Sequence, residues 1–547
     1  MTRARLDPKS TAGADMPIER HVSLAVVGAG PAGLAAAITA AKAGVEVLLV
    51  DENPVAQALM GLDVPLHFGQ RMNAAVQNKA RMVERIVETN PGLAEAFELG
   101  IDVELGVYAW GAFVKGPSLR GMAKPVLGLA DEERSWLVSF DRLILATGAR
   151  DLGLGFPGWE KPGVMGAPAA LSLLQRYRAF DGRRLVILGS GALGLKTAAA
   201  ALEQGLDVAG IVEVAPDVLG PDTLGPDTLC ASLSAAGVPF FAGHAVKQVL
   251  GKTEVEGVVL VRVDEAGAPI AGSEREIACD TVVSAVGAVP TVELMDVLGC
   301  RLAFDATRGG HVPVLDADRC TSVPCVQAVG DCAGVFDQKI ADAEIAIAEG
   351  RKAGTVAAQA LGATVTGSEP LPEATPSFDT YGHWQRWLRA ELAVGGLDVQ
   401  VCQCEEVTRR ELVELRPPRY LNWGASQLPS RDVSALAKDG PINADQVKRL
   451  TRAGMGTCQG RRCREQIQML LAMSAGVPPE QVPLASYRAP VRPLPLSALW
   501  PHDETQETRD NWDVWFGIPA QWTAFWEMEA ISPAVPGSTE SSTPSVK

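Results

Sequence analysis

The sequence predicts an α/β protein made of two dinucleotide-binding units in tandem, followed by a small α-helical domain and a C-terminal extension. Two observations predict it. The pattern Gly-x-Gly-x-x-Gly occurs twice, each time between a short apolar run and an Ala-rich stretch. Four of the ten cysteines form two close pairs late in the chain. A length of 547 residues predicts about three or four domains. With 47% hydrophobic residues and 55 glycines, there is material for several cores and several nucleotide loops.

The first unit begins after a leader, residues 1–21, that has charges but no apolar signal core and is expected to be disordered. Leu24–Val27 reads as a buried strand, Gly28-Ala-Gly30-Pro31-Ala32-Gly33 as the loop, and the stretch to about Lys42 as a helix. Val45–Val50 is the next strand, ending at Asp51 and Glu52. Gly28 permits the tight turn, Gly30 lets a pyrophosphate approach the backbone, and Gly33 lets helix and strand pack closely. The helix N-terminus offers free N–H groups and the positive end of its dipole to the phosphates. Asp51 stands where a carboxylate can accept hydrogen bonds from a ribose. Met72–Glu88 reads as helical, and Val103–Val114 with Pro125–Leu129 as strands of an inserted sheet. Leu143–Ala146 then leads into Thr147-Gly148, where glycine allows a nucleotide close approach.

A Pro/Gly crossing, residues 155–163, leads to the second unit. Its strand is Arg184–Leu188, its loop Gly189-Ser-Gly191-Ala-Leu-Gly194, its helix Leu195–Glu203, and its second strand ends at Glu213. No basic residue directly follows Glu213, so a 2′-phosphate would be repelled and NADH preferred to NADPH. Two readings stand: an NADH site, or a packing scaffold whose site is not used. The tandem GPDTL repeat at 220–229 reads as functionally neutral. Asp280–Gly287 returns as a strand. Residues 325–334 then run into Gly330-Asp331, where the carboxylate can meet ribityl hydroxyls, cap a helix, or both. An Ala-rich helix, Ile340–Gln359, follows. The expected units are 22–155 with 305–362, then 156–304 inserted between them.

Residues 363–397 read as a linker carrying a Trp-bearing amphipathic segment. Next come Cys402 and Cys404, separated by one residue, and Cys458 and Cys463, separated by four, within a domain at 398–475. Two thiol pairs, each near a helix start, make a tetrathiolate site for zinc or a [2Fe–2S] cluster, with unligated thiols as the third reading. The Cys-x-Cys half is unlike a zinc knuckle. Gly456 and Gly460 with Lys448, Arg452, Arg461 and Arg462 supply the amides and cations that an anionic cluster needs, which favours iron–sulfur. The other cysteines (Cys230, Cys279, Cys300, Cys320, Cys325, Cys332) read as small core residues. The extension, 476–547, carries four tryptophans at 512–526 that read as a partner-covered face before a disordered end.

The order of these motifs resembles the two-dinucleotide-domain flavoproteins, glutathione and thioredoxin reductase among them, which implies FAD at the first site. Residues 22–362 hold no Cys-x-x-Cys, so a thioredoxin-type dithiol relay is excluded. The cysteine stretch resembles the bacterioferritin-associated-ferredoxin-like [2Fe–2S] domain. GARDLGLGFPGWEKPGVM, CQCEEVTRREL, QVKRLTRAGMGTCQGRRC and RAPVRPLPLSAL extend the likeness to one subunit of heteromeric amino-acid and opine dehydrogenases. That group includes the A subunit of octopine and nopaline oxidases, the B subunit of hydrogen cyanide synthase and the large subunit of D-hydroxyproline dehydrogenase. The likeness implies a substrate-oxidising partner in the form of a glycine-oxidase-like FAD subunit. It also implies a small third subunit, an interface FMN and a downstream electron acceptor. Two departures stand out: an insertion near 414–431, and the absence of a Gly-Gly-Gln segment soon after Asp51.

Three functions follow. The first is an electron-transfer subunit of such a dehydrogenase, the second a self-contained NADH:acceptor reductase, the third an assembly scaffold with structural nucleotides. A formal charge of −16 argues against nucleic acid, and no apolar run is long enough to span a membrane. The expected location is the cytoplasm, with the inner membrane face as an alternative.

Overall fold

In the computed structural model of the protein, the first sheet grows outward from the strand that precedes the first glycine loop. β1 (Arg20–Val27), β2 (Val47–Asp51), β3 (Asp102–Leu105), β4 (Tyr108–Phe113), β5 (Val126–Ala130) and β6 (Ser135–Leu145) lie in the order β3-β2-β1-β6-β5-β4. β1, β2, β3 and β6 run parallel, as strands joined by crossovers must, while β4 and β5 run antiparallel. The strand Val326–Ala328 returns from far along the chain and pairs parallel with β6. The expected inserted sheet is therefore not separate. β6 is 11 residues long, enough to pair with β5 along its first half and with β1 along most of its length. The structure describes residues 18–55, 70–115, 124–219, 229–365, 370–372, 376, 378–421, 431–495 and 498. Residues 1–17 of the leader, 220–228 of the GPDTL repeat, 422–430 of the insertion and the Trp-rich tail lie outside them; the expected leader is too long, since β1 already begins at Arg20.

The helix Pro31–Lys42 covers one face of this sheet and is itself covered by the helix Ala343–Ala360. Small residues make the contact possible. A Cβ at Gly350 would lie 2.0 Å from the carbonyl oxygen of Ala32, and one at Gly354 would lie 2.4 Å from that of Ala36. The expected single helix after Gly330-Asp331 is two: Asp337–Ala341 and Ala343–Ala360, broken at Asp342. Asp342 is the residue whose side chain caps the long helix, accepting from the Glu344 N–H at 2.9 Å. Asp331 sits in a one-turn 3₁₀ segment with no side-chain cap, so its N-cap reading is corrected.

The second unit has a five-stranded, all-parallel sheet in the order Phe240–Ala242, Asp207–Glu213, Arg184–Leu188, Thr281–Ser284, Val164–Gly166. An antiparallel three-stranded sheet, His244–Leu250, Gly257–Arg262 and Arg275–Ala278, adjoins it. Beyond lie the helix Thr380–Gly395, a hairpin of Gln400–Cys402 with Val407–Thr408, and the helices Arg409–Val413, Val433–Asp439, Ala444–Thr451 and Arg464–Ala475. Thr408 and Glu411 close a reciprocal capping box at the first of these four helices. Of the six scattered cysteines, Cys279, Cys300 and Cys332 are buried as expected, whereas Cys230, Cys320 and Cys325 are only half-buried. No described helix is long and apolar enough to cross a membrane.

Candidate functional site

At the first loop each glycine has a separate steric reason. Gly28 has φ +109°, and a Cβ there would lie 2.2 Å from the Ala146 carbonyl oxygen. A Cβ at Gly33 would lie 1.8 Å from the carbonyl oxygen of Gly28, so helix and loop pack in contact. A Cβ at Gly30 would meet open space, which leaves its backbone accessible to a phosphate. Pro31 and Ala32 open the helix, Pro31 without an N–H to leave unpaired. Asp51 ends β2 and is fixed from behind: Oδ2 accepts from the Ala29 N–H at 2.6 Å, and Oδ1 from both the N–H and the side-chain amide of Asn53 at 2.8 Å. Glu52 pairs with the buried Arg492. Thr147 donates to the Thr291 carbonyl at 2.8 Å, and Gly148 makes the bend after it. The Gly330 N–H donates to Glu349 at 2.7 Å, and Glu349 is also paired with Arg319 and Lys339. Burial pushes the neighbouring Asp331 carboxyl up, against the pull of Lys339. These residues converge at the carboxyl end of the parallel strands, where an extended dinucleotide fits.

The second loop repeats the turn and the close packing. Gly189 has φ +107°, and a Cβ at Gly194 would lie 2.0 Å from the Gly189 carbonyl oxygen. Its ribose acid, however, is turned inward. Glu213 is fully buried and accepts from the Ser190 N–H (3.1 Å), the Ser190 hydroxyl (2.9 Å), the Ala215 N–H (3.1 Å) and His383 Nε2 (3.0 Å). Burial works to raise this carboxyl, but His383 and the backbone donors outweigh it and hold Glu213 below the usual carboxylate range.

The late cysteines come together. Cys402 and Cys404 sulfurs lie 3.8 Å apart, and Cys404 and Cys458 sulfurs 3.7 Å apart; Cys463 is a neighbour of Cys402. Cys402, Cys458 and Cys463 are buried and Cys404 is exposed. The Gly454 N–H donates to Cys402 Sγ at 3.4 Å, and a Cβ at Gly456 would lie 2.4 Å from Cys404 Sγ. Such crowding opposes ionisation: Cys402 pushes the Cys404 thiol up to about 11, and Cys404 with burial pushes Cys458 well above the thiol range. Once ionised, four converging thiols are a donor set whose negative charge an iron-containing centre would offset in part. Among the described residues no three His, Cys, Asp or Glu side chains form a ready single-ion cage. Of the expected cations, the half-buried Arg462 lies near Cys458 and over the Trp159 ring (5.5 Å), whereas Arg452 is taken by Glu405.

Residues 22–350 match the pyridine nucleotide-disulphide oxidoreductase family. The chain belongs to that family. Residues 426–501, which include Cys458 and Cys463, match the sarcosine oxidase A3 domain. Over 87% of its length the chain is 27% identical to the A subunit of opine oxidase from Agrobacterium tumefaciens, covering 91% of that protein. It is 26% identical to the HcnB subunit of hydrogen cyanide synthase from Pseudomonas aeruginosa, over 87% of this chain and 97% of that one. The alpha subunit of sarcosine oxidase from Rhizobium meliloti is 26% identical, with 88% of this chain matching 42% of that longer protein. Among solved structures, L-proline dehydrogenase from P. horikoshii shares the fold at TM-score 0.56 and 21% identity, over 89% of this chain and 81% of that one.

What the motifs did not reveal in this pyridine nucleotide-disulphide oxidoreductase is the joint between the first site and the thiols. Arg150, two residues past Gly148, is buried and donates to Glu293 (3.0 Å), Glu465 (2.6 Å), Tyr487 (3.3 Å) and the Arg461 carbonyl between the two late cysteines. The Gly155 N–H donates to Gln466 at 2.7 Å, Arg409 donates to the Gly155 carbonyl, and a Cβ at Gly153 would lie 2.1 Å from the Arg462 carbonyl oxygen. The extension also returns: Val491 N–H donates to the Trp110 carbonyl at 2.7 Å. A charged Arg-Asp pair directly after Thr147-Gly148-Ala149 was the available signal.

Proposed function

We propose that this chain is the FAD- and [2Fe–2S]-carrying electron-transfer subunit of a heteromeric flavin-dependent dehydrogenase or oxidase that acts on the C–N bond of an amino acid, an opine or a related secondary amine. The observation that carries the reading is the joint between the first site and the thiols. The segment leaving Thr147-Gly148 is the seat of the four-thiol loop, so Arg150, Arg409 and Gln466 would hold the two proposed cofactor sites at a fixed separation. Gly28, Gly30, Gly33, Asp51, Thr147 and Asp331 would hold FAD, and Cys402, Cys404, Cys458 and Cys463 the cluster. Bound there, the two groups would supply two-electron and one-electron chemistry respectively. The work of this chain's own residues is to position and insulate. Arg462 and the Gly454 amide offset sulfur charge, and Glu349 with Lys339 fixes the Gly330 turn. In this reading a partner subunit, with FMN at the shared interface and a small third subunit, oxidises CH–NH to an imine and releases two electrons and two protons. The resemblance to the opine oxidase A subunit along most of both chains supports that assignment.

The test is an anaerobic visible spectrum of the purified chain with iron and flavin assays. A flavin band, a reddish cluster envelope and about two irons per flavin are expected. A colourless, zinc-containing protein would refute the redox reading. Oxidation of a secondary amine by this chain alone with an artificial dye would refute the division of labour.

A further inference from the structure

The helix Thr380–Gly395 starts beyond the second dinucleotide unit, yet its apolar face is pressed onto that unit's carboxyl edge. Trp384 and Trp387 are almost completely buried. Three contacts fall where a dinucleotide would need space. The ribose acid, Glu213, has both oxygens engaged, one of them by His383 from this helix, and Trp387 Nε1 stands 3.1 Å from the same imidazole nitrogen. The middle glycine of the loop, Gly191, is faced by a carboxylate: a Cβ there would lie 3.4 Å from Asp337 Oδ2. At the first loop the equivalent position, Gly30, meets open space. Finally, Gly287 follows the strand that pairs beside Arg184–Leu188, and a Cβ there would lie 2.1 Å from Trp384 Nε1. In an open site of this fold that edge is where the nucleotide is laid down.

We infer that the second dinucleotide unit is closed by the chain itself: His383 takes the place of the ribose hydroxyls, Asp337 the place of the pyrophosphate and Trp384 the edge beyond it, so neither NADH nor NADPH binds. Each substitution has a chemical sense. His383 satisfies a carboxylate that would otherwise be buried without enough donors. Asp337 puts a negative charge at the N-terminus of the helix Ala192–Glu203, the position a phosphate would claim. The indole removes the remaining volume. The inference goes beyond the proposed function and does not depend on which amine is oxidised or on what the thiols bind. It denies the flavin an electron supply from pyridine nucleotide.

The experiment uses the full chain with its flavin. Millimolar NADH or NADPH is added anaerobically, and flavin absorbance and nucleotide retention by ultrafiltration are read. In parallel, deuterium exchange is followed across 380–395. The expected result is no bleaching, no retained nucleotide, and protection of the helix at the level of Arg184–Leu188, unchanged by nucleotide. Saturable retention at micromolar nucleotide, rapid bleaching, or loss of protection in 380–395 on adding NADH would each overturn the inference. The iron and flavin content would still decide the proposed function separately.

Discussion

Arg150 shows how much one side chain can hold. Its guanidinium ties two buried carboxylates, Glu293 and Glu465, to the carbonyl of Arg461, and so joins three stretches of chain that are far apart in sequence. Removing it leaves those carboxylates without their cation, and breaking a buried pair in this way costs about 3–5 kcal/mol. Arg150→Met is therefore expected to lower the urea midpoint sharply. Arg150→Met with Glu465→Gln is expected to recover part of the loss, and strict additivity of the two changes would contradict the pairing. A second residue-scale effect concerns pH. Burial pushes the Glu391 carboxyl up to about 8, against a hydrogen bond from the Val246 N–H and the charge of Arg409. The folded protein then holds a proton that the unfolded chain gives up near the ordinary carboxylate range. Stability must accordingly fall as pH rises from the ordinary range towards about 8, and level off above it. Glu391→Gln keeps an acceptor for Val246 and removes this slope. Urea unfolding of both proteins between about pH 5 and 9 should show the variant gaining on the parent by a few kcal/mol at the alkaline end.

At the scale of elements, the strands and helices around both glycine loops are legible because their residue patterns are local. Arg184–Leu188 is observed with the bounds its apolar run predicts, and Pro31–Lys42 ends where the Ala-rich stretch does. The four cysteines are equally readable, since their spacing is a pattern in itself. The break at Asp342 was local too, an N-cap carboxylate two residues before the N–H it accepts from, set within an otherwise Ala-rich stretch. Two features were not local: the pairing of β4 and β5 onto the main sheet depends on the length of β6, and the placement of Thr380–Gly395 on contacts such as His383–Glu213, 170 residues apart. An amphipathic segment announces that one face will be covered, but not by what. The contact of Pro31–Lys42 with Ala343–Ala360 gives the element-scale prediction. Because a Cβ at Gly350 would strike the Ala32 carbonyl, Gly350→Val must push the phosphate-facing helix aside. Overpacking of this kind costs about 1–3 kcal/mol. The variant is expected to lose flavin on gel filtration, while Ala360→Val at the exposed end of the same helix keeps it.

For the whole molecule, the decisive property is that the thiol domain is not an appendage. Its loop takes hydrogen bonds from Arg150, its helix Arg464–Ala475 supplies Gln466 to Gly155, its hairpin accepts from Trp159 through the Gln400 carbonyl, and the following segment lays Tyr487 on Asp296 at 2.9 Å and Val491 on Trp110. A group bound only by the folded thiol loop stabilises the fold by its binding free energy, and here that stabilisation must reach the first dinucleotide unit through shared contacts. Removing the metal centre proposed for the thiol loop should therefore loosen the flavin, although no flavin-site residue is altered. Flavin release on heating, followed by fluorescence, is expected at a clearly lower temperature after anaerobic treatment with reductant and chelator. Cys458→Ser should lower it similarly, since it removes a proposed ligand without touching the Arg150 contacts. Were release to occur at the same temperature in treated, Cys458→Ser and parent protein, the thiol loop and the flavin site would be energetically separate. The fixed separation on which the electron-transfer reading rests would then have no energetic counterpart.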